Sequence, residues 1–362
     1  MIHALLPLFM VNTLGAGMIW IGVVEGIGEG AALVTKVFSG VIADRFGHKK
    51  WLVFAGYFLG VVSKPIFALA TSMPVVLGAR LFDRIGKGIR GAPRDAIVAE
   101  VTDEKIRGAA FGLRQSLDAA GAFVGPLLAT GLLYFWTQDL RTLFWVALIP
   151  GVACLLLIIF GVKKRTSKTQ SVKALPFKHV SEIFTPSFIE LVILGVVFSL
   201  ARFSNAFIVL RAEDLGCVQT WIPLLIVLMN AVFSLASYPL GQMADRVNPK
   251  IILSLGFIFL AASDFAFAFC TNLIGLLAAI VLFGLHLAAT QGILAAMVSQ
   301  IAPKEQRATA FGVFNLFCGL ALLLSGLLLG VLWQLLGAQS SFIAAGIFAF
   351  VSLFFIRSFR LL

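Results

Sequence analysis

The chain has 362 residues, of which 60% are hydrophobic and only 12% charged, and its mean hydropathy of +1.01 is more than a water-soluble core can absorb. A net charge of +11 would suit a nucleic-acid binder, but Lys and Arg fall mainly in alternate breaks between apolar runs of about twenty residues, which is the pattern of a polytopic membrane protein. Cys154, Cys217, Cys270 and Cys318 show no paired spacing, so no metal site, redox motif or cofactor is expected.

In chain order the apolar runs predict spans over 1–14, 17–43, 51–71, 74–98, 107–134, 142–162, 187–210, 219–241, 250–270, 273–300, 307–334 and 340–356. That makes twelve. The first is short, since fourteen helical residues reach about 21 Å against a hydrocarbon core of about 30 Å. A truncated first helix is the expectation and a re-entrant segment the alternative; with no basic stretch before the apolar run, a signal peptide fits less well. The breaks "DRFGHKK", "KKRTSKTQSVKALPFKH", "DRVNPK", "PKEQR" and the tail "RSFR" are basic, whereas the others carry only Arg141 and Arg211. By the positive-inside rule the basic breaks and the C-terminus are cytoplasmic.

The chain also repeats itself. "GVIADRFGHKK" from Gly40 returns as "GQMADRVNPK" from Gly241, and "EKIRGAAFG" ending at Gly112 returns as "EQRATAFG" ending at Gly312, offsets of 201 and 200. Two parallel halves follow, 1–162 and 187–362, each a six-helix bundle, with the basic stretch 163–186 as a cytoplasmic linker.

Gly40, Asp44, Arg45, Gly47, Lys49 and Lys50 form G-x-x-x-D-R-x-G-x-K-K between the second and third spans, with a weaker copy at Gly241, Asp245 and Arg246. Arg84 and Gly88 form an Arg-x-x-x-Gly in the fourth span, with Lys87 at a position where Gln is usual. Gly121, Gly125 and Pro126 form Gly-x-x-x-Gly-Pro in the fifth, with Ala129 in place of a final Gly. With these motifs in their proper spans, the chain resembles the major facilitator superfamily, and its antiporter branches in particular. The resemblance implies twelve helices in two bundles around one cavity open alternately to each side, proton-coupled exchange or efflux, a monomer, and residence in a bacterial inner membrane. It also implies a gate in which Asp44 meets the helix starting near Gln306. Two readings stand for that loop: Asp44 caps a helix N-terminus in the gate, or Asp44, Arg45, Lys49 and Lys50 only set topology. Two stand for the fifth span as well, a bend at Pro126 or tight glycine packing.

The fourth span contains "RLFDRIGKGIRGAPRD", residues 80–95, with seven charges in sixteen positions. Arg80, Asp83, Arg84, Lys87, Arg94 and Asp95 recur at helical spacing on one stripe. Arg94 and Asp95 lie near the cytoplasmic end and are expected to snorkel or pair locally, whereas Arg80, Asp83, Arg84 and Lys87 lie too deep and must face a bundle interior or aqueous cavity. The positions 200 residues on are Ile280, Phe283, Gly284 and Leu287, all uncharged, so the fold itself does not require these charges. Treating the fourth and fifth spans as a hairpin about Val101 puts Arg84 level with Asp118, with Arg114 one turn away. Glu25, Glu29 and Lys36 share a stripe of the second span. In the second half Arg202 is the functional candidate, and His286 fits better as a core histidine. Asp264 lies in a span that the resemblance turns to the periphery.

The expectation is therefore a secondary active transporter and not an enzyme: no phosphate-cradling G-x-x-x-x-G-K-[ST] occurs. Buried carboxylates beside Arg and Lys suit protons, with Asp118 as the coupling group and Glu29 next. The cationic stripe favours a small organic anion or an anionic, siderophore-like chelate over a lipophilic cation. An uncoupled facilitator and a non-transporting scaffold or sensor of the same fold are the alternatives. The charge asymmetry predicts that reporters fused after Lys168 and after Arg360 are cytoplasmic and one fused after Asp139 is exported; a cytoplasmic signal at Asp139 would overturn the helix count.

Overall fold

The computed structural model describes residues 1–46, 49–101, 107–162, 183–301 and 307–358, with backbone only at 40–46, 107–116, 244–246 and some neighbouring helix-end positions. Fourteen α-helices and one π-turn account for nearly all of it. The first span is α1 (Ile2–Leu8) continuing into the π-turn Phe9–Thr13. There follow α2 (Met18–Phe46), α3 (Lys49–Leu69), α4 (Met73–Val101) and α5 (Arg107–Phe135). The sixth span is two segments, α6 (Leu140–Val146) and α7 (Leu148–Gly161), and the seventh is also two, α8 (Pro186–Ala201) and α9 (Asn205–Asp214). The last five are α10 (Ile222–Arg246), α11 (Pro249–Phe269), α12 (Leu273–Ile301), α13 (Arg307–Leu336) and α14 (Ala338–Ser358). The twelve expected spans all reappear, and eight helical stretches are long and apolar enough to cross a bilayer. The stretch rich in charge, α4, is not among those eight.

Local sequence explains the starts. Asp139 accepts from the amides of Arg141 and Thr142 to open α6, Thr185 from Phe188 ahead of Pro186 to open α8, and Asn248 from Lys250 ahead of Pro249 to open α11. Helix ends take the same care. Lys50 gives its ammonium to the carbonyls of Ile159 and Val162, closing α7. Arg141 donates to Ala68 O at 2.6 Å, and Arg211 to Phe267 O and Cys270 O at 3.0 and 2.9 Å. The two cations of the weakly charged breaks are thus consumed in holding the C-terminal ends of α3 and α11.

The halves meet most closely along α2 and α13, at the end away from the basic breaks. Gly22 lies so near Gly326 that a Cβ there would stand 2.0 Å from its carbonyl oxygen, and one on Gly330 would stand 2.6 Å from Met18 O. Beside this seam Asn12 donates to Glu213 at 2.6 Å, Ile19 N to Gln334 at 3.1 Å, and Gln138 to Thr220 at 3.3 Å, so the end is closed. Midway along α5, residues 120–124 are exposed over more than a full turn. A Cβ on Gly125 would stand 2.8 Å from the backbone nitrogen of Met1, so the chain packs closely there, whereas one on Gly121 would meet nothing within 4 Å; Pro126 lies inside α5. Among the described residues Gly22→Ala is expected to cost about 1–3 kcal/mol in detergent melting experiments by wedging the seam, and Gly121→Ala to stay within about 0.5 kcal/mol. Equal effects would contradict this packing.

Candidate functional site

The charged stripe of α4 turns inward and meets α2 and α3. Arg80 and Arg84 are buried; Arg80 pairs with Glu25 at 2.5 Å, and Arg84 with Glu29 at 2.9 Å, so two successive turns of α4 grip two successive turns of α2. Asp83 takes Lys64 of α3 at 3.0 Å. His3 of α1 reaches both guanidiniums, contacting Arg80 closely and Arg84 at 3.3 Å, and lies 3.5 Å from Asp83. Such close pairing is what bilayer depth demands of charge. Gly28 makes room for it: a Cβ there would stand 3.1 Å from the Arg80 side chain.

The second half reaches this cluster through a break. Between α8 and α9, residues 202–204 leave the helical path, where the apolar run 187–210 had promised one continuous helix. Ser325 of α13 donates to the freed carbonyls of Leu200 and Arg202 at 3.0 and 3.1 Å, and Ser204 caps α9. Ser204 also donates to Glu25 at 2.5 Å, so one carboxylate is shared between Arg80 of its own half and a hydroxyl of the other. Arg202 is half-buried and acts electrostatically on Glu29.

Arg84 does not face Asp118 as expected. Helix α4 runs to Val101 and α5 starts at Arg107, which centres the hairpin on residue 104 instead of 101. Asp118, fourteen residues past that centre, then lies level with residue 90, and Arg94, one turn on, takes it at 3.2 Å. Arg94 thus reaches across to α5 for a carboxylate. Lys87 is exposed, about one turn beyond Arg84 along α4. Arg90 instead lies over the Tyr57 ring of α3, 4.5 Å from its centre.

The gate motif falls largely outside the description. Gly47, His48 and Gln306 lie outside the described residues, as do the side chains of Gly40, Asp44, Arg45, Arg114, Asp245 and Arg246. Of the rest, Lys50 closes α7 as above. His286 is buried and bonds Gly256 O through Nδ1, in an aromatic packet with Phe198 and Phe283. Asp264 corrects the expectation of a peripheral residue. It is fully buried between α11 and α14, near Gly346, and neither of its oxygens has a partner among the described residues.

Lys64, His3 and Ser204 were missed. A lone Lys inside the apolar run "GVVSKPIFALA" is the signal for the first, because an unpaired cation there has to find an acid on the next helix. His3 and Ser204 carry no such signal.

The family model described as Major Facilitator Superfamily matches residues 1–224 and again 191–361. The chain belongs to the Major Facilitator Superfamily. An uncharacterized transporter of this type from Methanocaldococcus jannaschii is 28% identical over 97% of this chain and 88% of its own. The multidrug resistance protein MdtH of Photorhabdus laumondii is 30% identical, over 40% of this chain and 35% of its own. Among solved structures, a mutant of the nucleoside transporter NupG superposes with a TM-score of 0.84 at 14% identity, over 99% of this chain and 94% of that one. A D-xylose–proton symporter gives 0.73 at 15% identity, over 99% and 92%. This superfamily member is accordingly a multi-pass membrane protein and a secondary transporter, not an enzyme.

The pairing makes a prediction. Arg80→Met strands Glu25 in a buried place and is expected to cost about 3–5 kcal/mol. Adding Glu25→Leu removes the stranded charge and is expected to recover most of the loss in detergent melting. A double variant as unstable as the single one would show that Arg80 and Glu25 are not energetically coupled.

Proposed function

We propose that this protein carries a small anionic solute by alternating access, coupled to protons, as a monomer in a bacterial inner membrane. The observation that carries the reading is Arg84: it is buried midway along α4, its partner Glu29 remains one-third exposed, and Arg202 of the other half acts on the same carboxylate. An arginine placed so can exchange its carboxylate for a solute's without leaving either charge bare. Closure at one end, with α5 exposed midway along its length, is the geometry of a carrier in one of its two states.

Glu29 is better placed than Asp118 to couple the proton. It touches both the buried guanidinium and the open side, so solute at Arg84 would leave it to be protonated. Asp118 is about half exposed and held by Arg94. The partial likeness to a multidrug resistance protein supports export, while the excess of cations over acids around Glu29 favours an anion as cargo. An uncoupled facilitator would use the same charges only to gate.

In proteoliposomes Arg84→Ala is expected to abolish transport while insertion persists, and Arg84→Lys to restore little of it, since a point charge does not replace a planar, bidentate donor. Glu29→Gln is expected to keep solute exchange and lose accumulation driven by a pH gradient; Asp118→Asn is expected to keep both. Loss of pH-driven accumulation in Asp118→Asn alone would return the coupling role to Asp118.

A further inference from the structure

His3 touches three charged side chains of the cluster at once. Its Nδ1 meets Arg80 closely and Arg84 at 3.3 Å, while its Nε2 lies 3.5 Å from Asp83. A guanidinium has only N–H groups to offer, so Nδ1 is the bare acceptor, and the ring proton sits on Nε2, facing the carboxylate. The ring is therefore neutral where it stands. Its side chain is nonetheless 53% exposed, so water reaches it. Behind these contacts stand Glu25 and Glu29 at the two arginines, Lys64 at Asp83, and Lys87 one turn beyond Arg84. Arg90 also lies near Asp83, since a Cβ on Gly60 would stand 3.4 Å from Arg90 Nη1 and 3.6 Å from Asp83 Oδ1. The Met1 amino nitrogen lies against Gly125 of α5. Of the helices packed most closely on α1, α10 brings no charge among its described side chains, and the charges of α6 and α9 are engaged at the end away from the basic breaks: Arg141 and Arg211 on carbonyls, Asp214 on Arg211 and Glu213 on Asn12.

The repeat isolates what is particular to this contact. At the offset of 200, His3 and Asp83 become Phe203 and Phe283, whose rings stack 5.0 Å apart. Both halves thus bring these two positions together, but only the first does so with groups that exchange a proton. His3 also rides on an element tied to the other half. Helix α1 packs against α9, and the π-turn that continues it gives Asn12 to Glu213 of α9 at 2.6 Å.

We propose that His3 is a positioning residue for Arg80 and Arg84 that trades these arginines for a proton. A movement of the halves that carries α1 along with α9 draws the ring away from α4. The Nδ1 lone pair then takes a proton from water, and both ring N–H groups become donors, able to reach a carboxylate such as Asp83 but no longer an arginine. Return of the ring to α4 remakes the guanidinium contacts and gives the proton back to water. Proton and arginine exclude each other because one lone pair serves both. This adds a second titrating group to Glu29, and it holds whatever the solute is.

The test reads the ring directly, by nitrogen NMR of the purified full chain in detergent, isotopically labelled at histidine. The His3 signals are those missing from His3→Asn, and they are followed from about pH 8 down to about pH 4.5. In the wild type the ring is expected to be neutral at the alkaline end, with its proton on Nε2. Arg84→Gln removes one guanidinium but strands Glu29, whose charge also favours a charged ring. Arg80→Met combined with Glu25→Leu removes a guanidinium and its carboxylate together, and so decides between competition for the lone pair and simple attraction. Each is expected to let the ring charge at least about one pH unit above the wild type. If the paired variant does not fold, the wild-type ring and Arg84→Gln carry the test. A wild-type ring with its proton on Nδ1 at about pH 8 would overturn the contacts assigned to it. Rings that titrate alike in the wild type and the variants, or a ring that responds in Arg84→Gln while the folded pair behaves as the wild type, would overturn the competition. None of these results depends on a solute, so the reading of an anion carrier stands or falls separately.

Discussion

A guanidinium held away from water has to be met by a carboxylate, and much of this molecule is arranged around that demand. Arg80 and Arg84 sit one turn apart on α4, so Glu25 and Glu29 sit one turn apart on α2, and the two helices are held in register by charge. Gly28 is small because the Arg80 side chain passes over it. Lys64 stands in an otherwise apolar helix because Asp83 needs it. The register reaches beyond the first half, since the Glu25 carboxylate that Arg80 fixes is also the acceptor for Ser204. A movement that separates the halves along this line must therefore either break a bond to a buried carboxylate or take Glu25 away from its arginine.

The second half answers the same geometry with different chemistry. Where the first half has Lys64 and Asp83, the repeat has Asp264 and Phe283, and the space around it is filled by stacked rings: Phe198 on Phe257, Phe203 on Phe283 and Phe267 on Phe342, at 4.9 to 5.2 Å between centres. Among the described residues charge is thus concentrated in one half and ring packing in the other, with Arg202 a cation of the second half at the break beside Ser204. The paired serines differ as well: Ser63 donates to the carbonyl of Gly60 within its own helix, and Ser263, its counterpart, crosses from α11 to the carbonyl of Ala279 in α12.

How much of this was legible in the sequence depends on the range of the interaction. Hydropathy is a local property averaged over about twenty residues, so all twelve spans and their order could be read from it. The repeat predicted two parallel halves, and spacing of three and four put the α4 charges on one face. Pairing between helices is a different matter, because it depends on where a hairpin turns. An error of three residues in the centre of the α4–α5 turn was enough to give Asp118 to Arg84 instead of Arg94. The break at 202–204 was not legible either, since it is sustained by Ser325, more than a hundred residues away. Asp264 was judged by the usual place of its span, but the close approach of α14 at Gly346 buries it.

The seam between α2 and α13 has one more implication. Its rim is polar, but at Gly22, Gly26, Gly326 and Gly330 the two helices touch through backbone, with no side chain between them. There is nothing there to titrate and no net charge for mobile ions to screen. What holds the seam is shape alone, summed from many short-range attractions that vanish within an ångström or so of separation. Such a contact behaves as a mechanical stop: it is nearly indifferent to the salinity and acidity of the fluid that bathes it, and it is either fully made or fully lost.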